Sequence, residues 1–190
     1  AAPRTLSLVT YLLTLMLVFA IGRRLTGDPW FALAACALFA CYQYVAVQAR
    51  FYNVFAMTAL MVALTVWLLL KTEGFTAAGW SVLFGLALGA ALLTERGTPA
   101  LVLAGPVAAH ATASGVRLYR KSPERLVRSL VLIAVALALA WLIAGRYISE
   151  YLFHQGRYIA GNISTAFYPE RAEPTYYLVK FYRWLAGEPL

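Results

Sequence analysis

Apolar residues run along this chain in long blocks broken by short polar or charged interruptions. A helix crossing a hydrocarbon layer needs about 20 predominantly apolar residues. Six segments approach that length: residues 5–22, 30–48, 52–70, 77–94, 98–114 and 126–145. The fourth and fifth meet at "TERGTP", where Pro99 suits the first turn of a new helix. Asp28 precedes Pro29 and is placed to cap the second helix. Gly85 and Gly89 stand four apart on one face of the fourth helix, which either lets a neighbouring backbone approach closely or is the ordinary scatter of glycine in a membrane helix. The pattern predicts an all-α, polytopic helical bundle of about six transmembrane helices over residues 1–147. It shows no internal repeat and no low-complexity tract.

Composition places that bundle in lipid. Of the 190 residues, 62% are hydrophobic and 13% are charged, whereas a soluble domain carries about 25% charged residues. A single soluble core of this size leaves too much surface to hide the excess. The net charge of +8 is therefore read through its distribution, because Lys and Arg set the orientation of membrane helices. No basic stretch has the fold context of a nucleic-acid module, so no nucleic-acid partner is expected. Cys36 and Cys41 lie five apart in one apolar run, on different sides of a helix, and read as packing residues. The opening "AAPRTLSLVT" lacks the pattern of a signal peptide and reads as an interior piece of a longer protein.

The basic residues orient the stack. Arg23 and Arg24 follow the first span, Lys71 the third, and Arg117, Arg120, Lys121, Arg125 and Arg128 the fifth. If all six spans cross, these connections share one side. The opposite short connections hold only Arg50 and Arg96. The rich side is then cytoplasmic, in a multi-pass protein of the plasma membrane. Residues 148–190 fall outside and are expected as short interfacial helices and loops. Tyr176, Tyr177, Phe181, Tyr182 and Trp184 alternate there with Lys180 and Arg183, which suits rings at headgroup depth with charges in water. Asn162 opens an "NIS" tripeptide, too common a pattern to use without a source organism.

Chemistry collects on the outer face. Arg50, Arg96 and the pair Arg146 and Arg157 converge there, with Gln48, Tyr52, Glu95, Glu150 and Tyr158 nearby in sequence. Charges at membrane depth are costly and mark partners or substrates. The guanidinium fork suits phosphate oxygens. The simpler role for each arginine is to anchor a helix end among headgroups, although the tight turn around Arg50 gives its side chain little room to leave the bundle. Glu95 is the only carboxylate in a tight outer turn between spans. It is the candidate catalytic residue of this chain, and its simpler role is a local ion pair with Arg96. No His, Cys, Asp or Glu set has zinc spacing, and His110 and His154 fall on opposite sides. There is no glycine-rich phosphate loop and no serine elbow.

Three stretches carry a family resemblance. "AIGRRLTGD", "VAVQARFYNVFAMTALMVALTVWLLLK" and "GLALGAALLTERGTPALVLAGP" resemble the membrane glycosyltransferases of the GT-C type, in the branch of the protein mannosyltransferases and lipid A aminoarabinose transferases. The likeness covers roughly the first 110 residues. It implies an enzyme that moves a sugar from a polyprenyl-phosphate carrier to an acceptor at the outer face. Arg50 matches the family arginine and Tyr52 the tyrosine that follows. Gln48, Arg96 and Arg157 join them as candidate substrate-binding residues, with membrane lipids as surroundings. Gln48 stands where many members have Glu, and Phe55 where the aminoarabinose-transferase branch has Asp. The family's main catalytic carboxylate lies on a large outer loop after an earlier helix, which this chain lacks. The general base is therefore expected outside it, and the fragment is expected to be inactive alone. The resemblance leaves sugar, acceptor and any divalent cation open. The alternative is a transporter or flippase half whose arginines line a path for an anionic lipid or solute; a third reading is a structural membrane subunit presenting its aromatic tail to a partner.

Overall fold

The computed structural model describes residues 2–41, 54–94 and 98–165. Six α-helices and no strands occur among them: α1 (Ala2–Thr26), α2 (Pro29–Cys41), α3 (Val54–Lys71), α4 (Ala78–Thr94), α5 (Thr98–Lys121) and α6 (Pro123–Thr165). Three stretches are long and apolar enough to cross a membrane: Thr5–Thr26, Thr98–Arg120 and Glu124–Glu150. The apolar helices Pro29–Cys41, Ala56–Lys71 and Ala78–Thr94 are shorter. At 1.5 Å per residue, α4 spans about 25 Å, near the lower limit for a crossing helix. The expected second span reaches to residue 48, and its part after Cys41 lies outside the described residues.

Several helix ends differ from the apolar pattern; α1 runs Ala2–Thr26 where 5–22 is expected. The helix expected to end near residue 114 runs on to Lys121, and the next begins at Pro123 rather than near 126. Arginine and lysine end an apolar run without ending a helix, since both are good helix formers. The break falls at Ser122, just before a proline. The first part of the expected tail is one continuous helix. α6 is 43 residues long and carries helix through to Thr165, where short helices and loops are expected from residue 148. No proline interrupts the chain between Pro123 and Pro169, so nothing stops the helix there. By compactness the chain divides into two units, residues 1–148 and 149–190.

Within the first unit, α1 and α2 form a hairpin. Gly27 closes α1 with φ +74° and its N–H donates to the Arg23 carbonyl at 2.9 Å, a left-handed C-terminal cap. Asp28 Oδ1 accepts the Trp30 N–H at 2.8 Å, which makes it the N-cap of α2 with Pro29 in the first turn. Cys36 turns its thiol to the Leu15 carbonyl at 3.4 Å, while Cys41 is exposed. The helices α1 and α3 pack together, and α3 pairs most extensively with α4.

The central helix is α4. It buries Ser81, Phe84, Gly85, Ala87, Leu88, Gly89 and Ala91 over a broad face, while Leu83, Leu86 and Leu93 on the opposite side are exposed, as expected of a helix packed on one face and open to lipid on the other. Its two glycines meet α6. A β-carbon at Gly85 would lie 2.6 Å from the Ala136 carbonyl oxygen, and one at Gly89 would lie 3.1 Å from the Ala140 Cα and 2.8 Å from Ile143 Cβ. Residues ascend together in both helices, so α4 and α6 run parallel. The core lies between α3, α4, α5 and α6 and holds Leu68, Leu69, Phe84, Leu88, Leu103 and Ala136 among others.

Outside this core the helices present apolar surface. Leu101 is 82% exposed and Leu142 79%. A soluble monomer rarely shows contiguous apolar area on this scale; lipid covers it without cost. Hydroxyls inside the helices bond back to their own backbone: Thr14 to the Thr10 carbonyl at 2.8 Å, Thr65 to Met61 at 2.7 Å and Ser81 to Ala77 at 2.9 Å. Every buried side-chain nitrogen or oxygen among the described residues has a partner, as a lipid environment demands. The chain is a helical membrane bundle.

Candidate functional site

Most of the candidate residues lie outside the described residues: Gln48, Arg50 and Tyr52 in 42–53, and Glu95 and Arg96 in 95–97. Arg157 stands on α6 in the second unit, where the structure gives its place in the helix. Arg146 and Glu150, also on α6, each engage a partner.

The bundle places the ends to which these segments attach. The helices α3 and α4 are joined by the turn 72–77 and pack along their lengths. Val54 and Thr94 therefore lie at one end of this hairpin, remote from the turn. The start of α5 at Thr98 follows Thr94 after three residues and belongs to the same end. Pro99 is fully buried in its first turn, which fixes the direction in which α5 departs. The chain segments holding Arg50 and the Glu95–Arg96 pair thus leave from a common end of the α3–α4–α5 bundle.

The opposite end holds a compact polar junction that the sequence pattern does not reveal. Glu73, Gly74 and Phe75 all have left-handed backbones, with φ of 52°, 75° and 61°. They form a tight reversal wedged between α5 and α6. Phe75 is buried, edge-on to Phe84 with ring centroids 5.6 Å apart and to His110 at 5.9 Å. Ser129 Oγ on α6 donates to the Gly74 carbonyl at 2.8 Å. Ser114 on α5 lies so near that a β-carbon at Gly74 would come within 2.9 Å of it.

A threonine and a histidine meet at this junction. Thr72 Oγ1 is 3.4 Å from His110 Nε2, a pairing that resembles a nucleophile with its base. The hydroxyl is already committed: it donates to the Leu69 carbonyl at 2.7 Å and accepts the Phe75 N–H at 3.3 Å. With its only proton so used, it accepts from His110 if the ring carries a proton on Nε2. The pair therefore locks the turn and has no free nucleophile. Beside it, Lys71 Nζ sits 5.3 Å from the Trp67 ring and 5.8 Å from the Trp80 ring, and the two indoles meet edge-on at 5.9 Å. Trp67 and Lys71 are four apart on α3, a spacing legible in sequence, but nothing there brings in Trp80. This is a cation–π cluster at a helix end, a common fixture at the lipid–water boundary.

Among the described residues no group of three or more His, Cys, Asp or Glu is arranged to hold a metal ion. No protein-family model, curated protein or solved structure matches the chain.

Proposed function

We propose that this chain is the donor-seating part of a GT-C-like glycosyltransferase that takes a sugar from a polyprenyl phosphate at the outer face of the plasma membrane. The observation that supports the reading is the gathering of Val54, Thr94 and Thr98 at one end of the bundle, remote from Lys71 and the basic 117–128 stretch. The segments with Arg50 and Glu95–Arg96 join the helices at that end. A polyprenyl-phosphate sugar holds its chain in lipid and its phosphate at the headgroup boundary. An arginine in a tight connection at that depth meets the phosphate with two parallel hydrogen bonds and stabilises charge on the leaving phosphate. Tyr52 shapes the same pocket. The acceptor's proton requires a carboxylate base; Glu95 is the candidate within the chain, and the resemblance locates the main one elsewhere.

The test is sugar transfer from a polyprenyl-phosphate donor by the complete protein in liposomes. Arg50→Ala is expected to lower turnover about 10²–10³-fold, the cost of removing one donor to a developing oxyanion. Arg50→Lys keeps the charge, loses the fork and falls between. Arg23→Ala, at a basic connection, leaves turnover unchanged. Transfer at the parental rate by Arg50→Ala would reduce the arginine to a helix anchor and remove this reading.

A further inference from the structure

One residue of the α3–α4 turn sets the height of two other helices. Gly74 touches Ser114 on α5 and accepts from Ser129 on α6, so these two serines lie level with the turn. Beyond that level α5 continues through Arg117 and Arg120 to Lys121, and α6 returns from Pro123 through Arg125 and Arg128. Seven residues of helix add about 10 Å. The α5–α6 connection is therefore a helical hairpin standing about 10 Å past the turn.

Its arginines occupy defined heights. At 1.5 Å per residue, Arg128 stands about 2 Å above the serine level, Arg117 about 5 Å and Arg125 about 6 Å, while Arg120 is higher at about 9 Å. Lys71 closes α3 at the turn, with Trp67 one helical turn deeper on α3 and Trp80 near the start of α4. The headgroup layer outside a hydrocarbon core is about 5–8 Å thick on each side. Arg117, Arg125 and Arg128 thus fall within it. All four arginines are exposed, and Val116, Tyr119 and Val127 are exposed between them. Glu124 is the single acidic residue among five basic ones from 117 to 128. A water-facing hairpin has no use for that apolar surface, whereas one collared by lipid sets its apolar groups against glycerol and its guanidinium groups against phosphate.

We infer that Arg117, Arg125 and Arg128 form a collar that binds the headgroups of anionic glycerophospholipids at the basic face of the bundle. Arginine forks bond the phosphodiester oxygens, and the net positive charge selects anionic over zwitterionic lipid. This site is at the opposite end of the bundle from the arginines proposed to seat the sugar donor and does not depend on that reading.

The test measures thermal unfolding of the purified protein in mixed micelles containing either phosphatidylglycerol or phosphatidylcholine. The expected result is a higher midpoint in phosphatidylglycerol that shrinks with added salt. The triple variant R117Q/R125Q/R128Q should keep the phosphatidylcholine midpoint and lose at least half of the phosphatidylglycerol gain. R117K/R125K/R128K should retain more of the gain, and Arg120→Gln nearly all of it. Equal midpoints in the two lipids for the parent, or an undiminished gain in the glutamine variant, would overturn the collar. Reproduction of the whole gain by inorganic phosphate in phosphatidylcholine micelles would also overturn it, by showing a soluble-anion site. Should the glutamine variant fold poorly, lipid retained through purification decides: a parent that keeps no more phosphatidylglycerol than phosphatidylcholine refutes the collar, and selective retention supports it.

Discussion

Gly85 is the residue at which substitution costs most directly. A β-carbon there meets backbone, the Ala136 carbonyl oxygen at 2.6 Å, and backbone in a packed helix cannot swing aside. Gly85→Ala is therefore expected to lower stability by about 1–3 kcal/mol, the range for overpacking a filled interior. Gly79, in the first turn of the same helix, has nothing within 4 Å of a built β-carbon. Gly79→Ala should instead gain about 0.5–1 kcal/mol from backbone entropy. Unfolding in a graded detergent series measures both, and a loss of equal size at the two sites would contradict the close helix contact. The face shared by Gly85 and Gly89 was legible from their spacing. Its partner was not, because α6 lies about fifty residues further along and four other helices present small residues.

At the scale of the element, the α3–α4 turn holds its shape against its own backbone preference. A non-glycine residue with left-handed φ costs about 1–2 kcal/mol, and both Glu73 and Phe75 adopt it. Phe75 offsets that cost by burial against Phe84 and His110. Glu73 is exposed and has no such return. Glu73→Gly is expected to raise stability by about 0.5–1 kcal/mol, since glycine enters this region freely. Ser129→Ala removes the donor to the buried Gly74 carbonyl and should cost about 1 kcal/mol or more. The same unfolding measurement checks them; a destabilised Glu73→Gly protein would contradict the left-handed turn. None of this turn was visible in "KTEGFTA". One glycine suggests one left-handed residue, and the other two are set by contacts with helices far away in sequence. The cap at Asp28 was legible, because a cap is made by its immediate neighbours.

At the scale of the molecule, apolar block length located every helix among the described residues but misplaced several helix ends. Block edges record where lipid gives way to water, whereas helices stop at prolines, glycines and turns. The candidate site was legible only as residue types between apolar blocks, because convergence across helices leaves no local trace in sequence. The structure brings the α3–α4 turn level with Ser114 and Ser129, so Lys71 and the 117–128 stretch share an end. If the positive-inside rule holds, that end faces the cytoplasm, which is open to test. In a protein lacking Cys36 and Cys41, a cysteine at Gly97 should react with an impermeant reagent added outside intact cells, and one at Ser122 should not. The opposite labelling would invert the orientation and carry Arg50 to the inner face.

The notch in α4 also has a consequence in time. During synthesis Gly85 and Gly89 leave the ribosome well before Ala136 and Ile143; at about 5–20 residues per second the interval is several seconds. Throughout it, the groove that α6 will fill is open along the side of a helix already paired with α3. Any passing helix with small residues at four-residue spacing can occupy it, including α4 of another nascent copy. A chain arrested at residue 122 would hold the groove open for its lifetime. Such a truncation should be sticky rather than merely unstable, and its cross-linked species should disappear when the missing helix is supplied as a separate polypeptide.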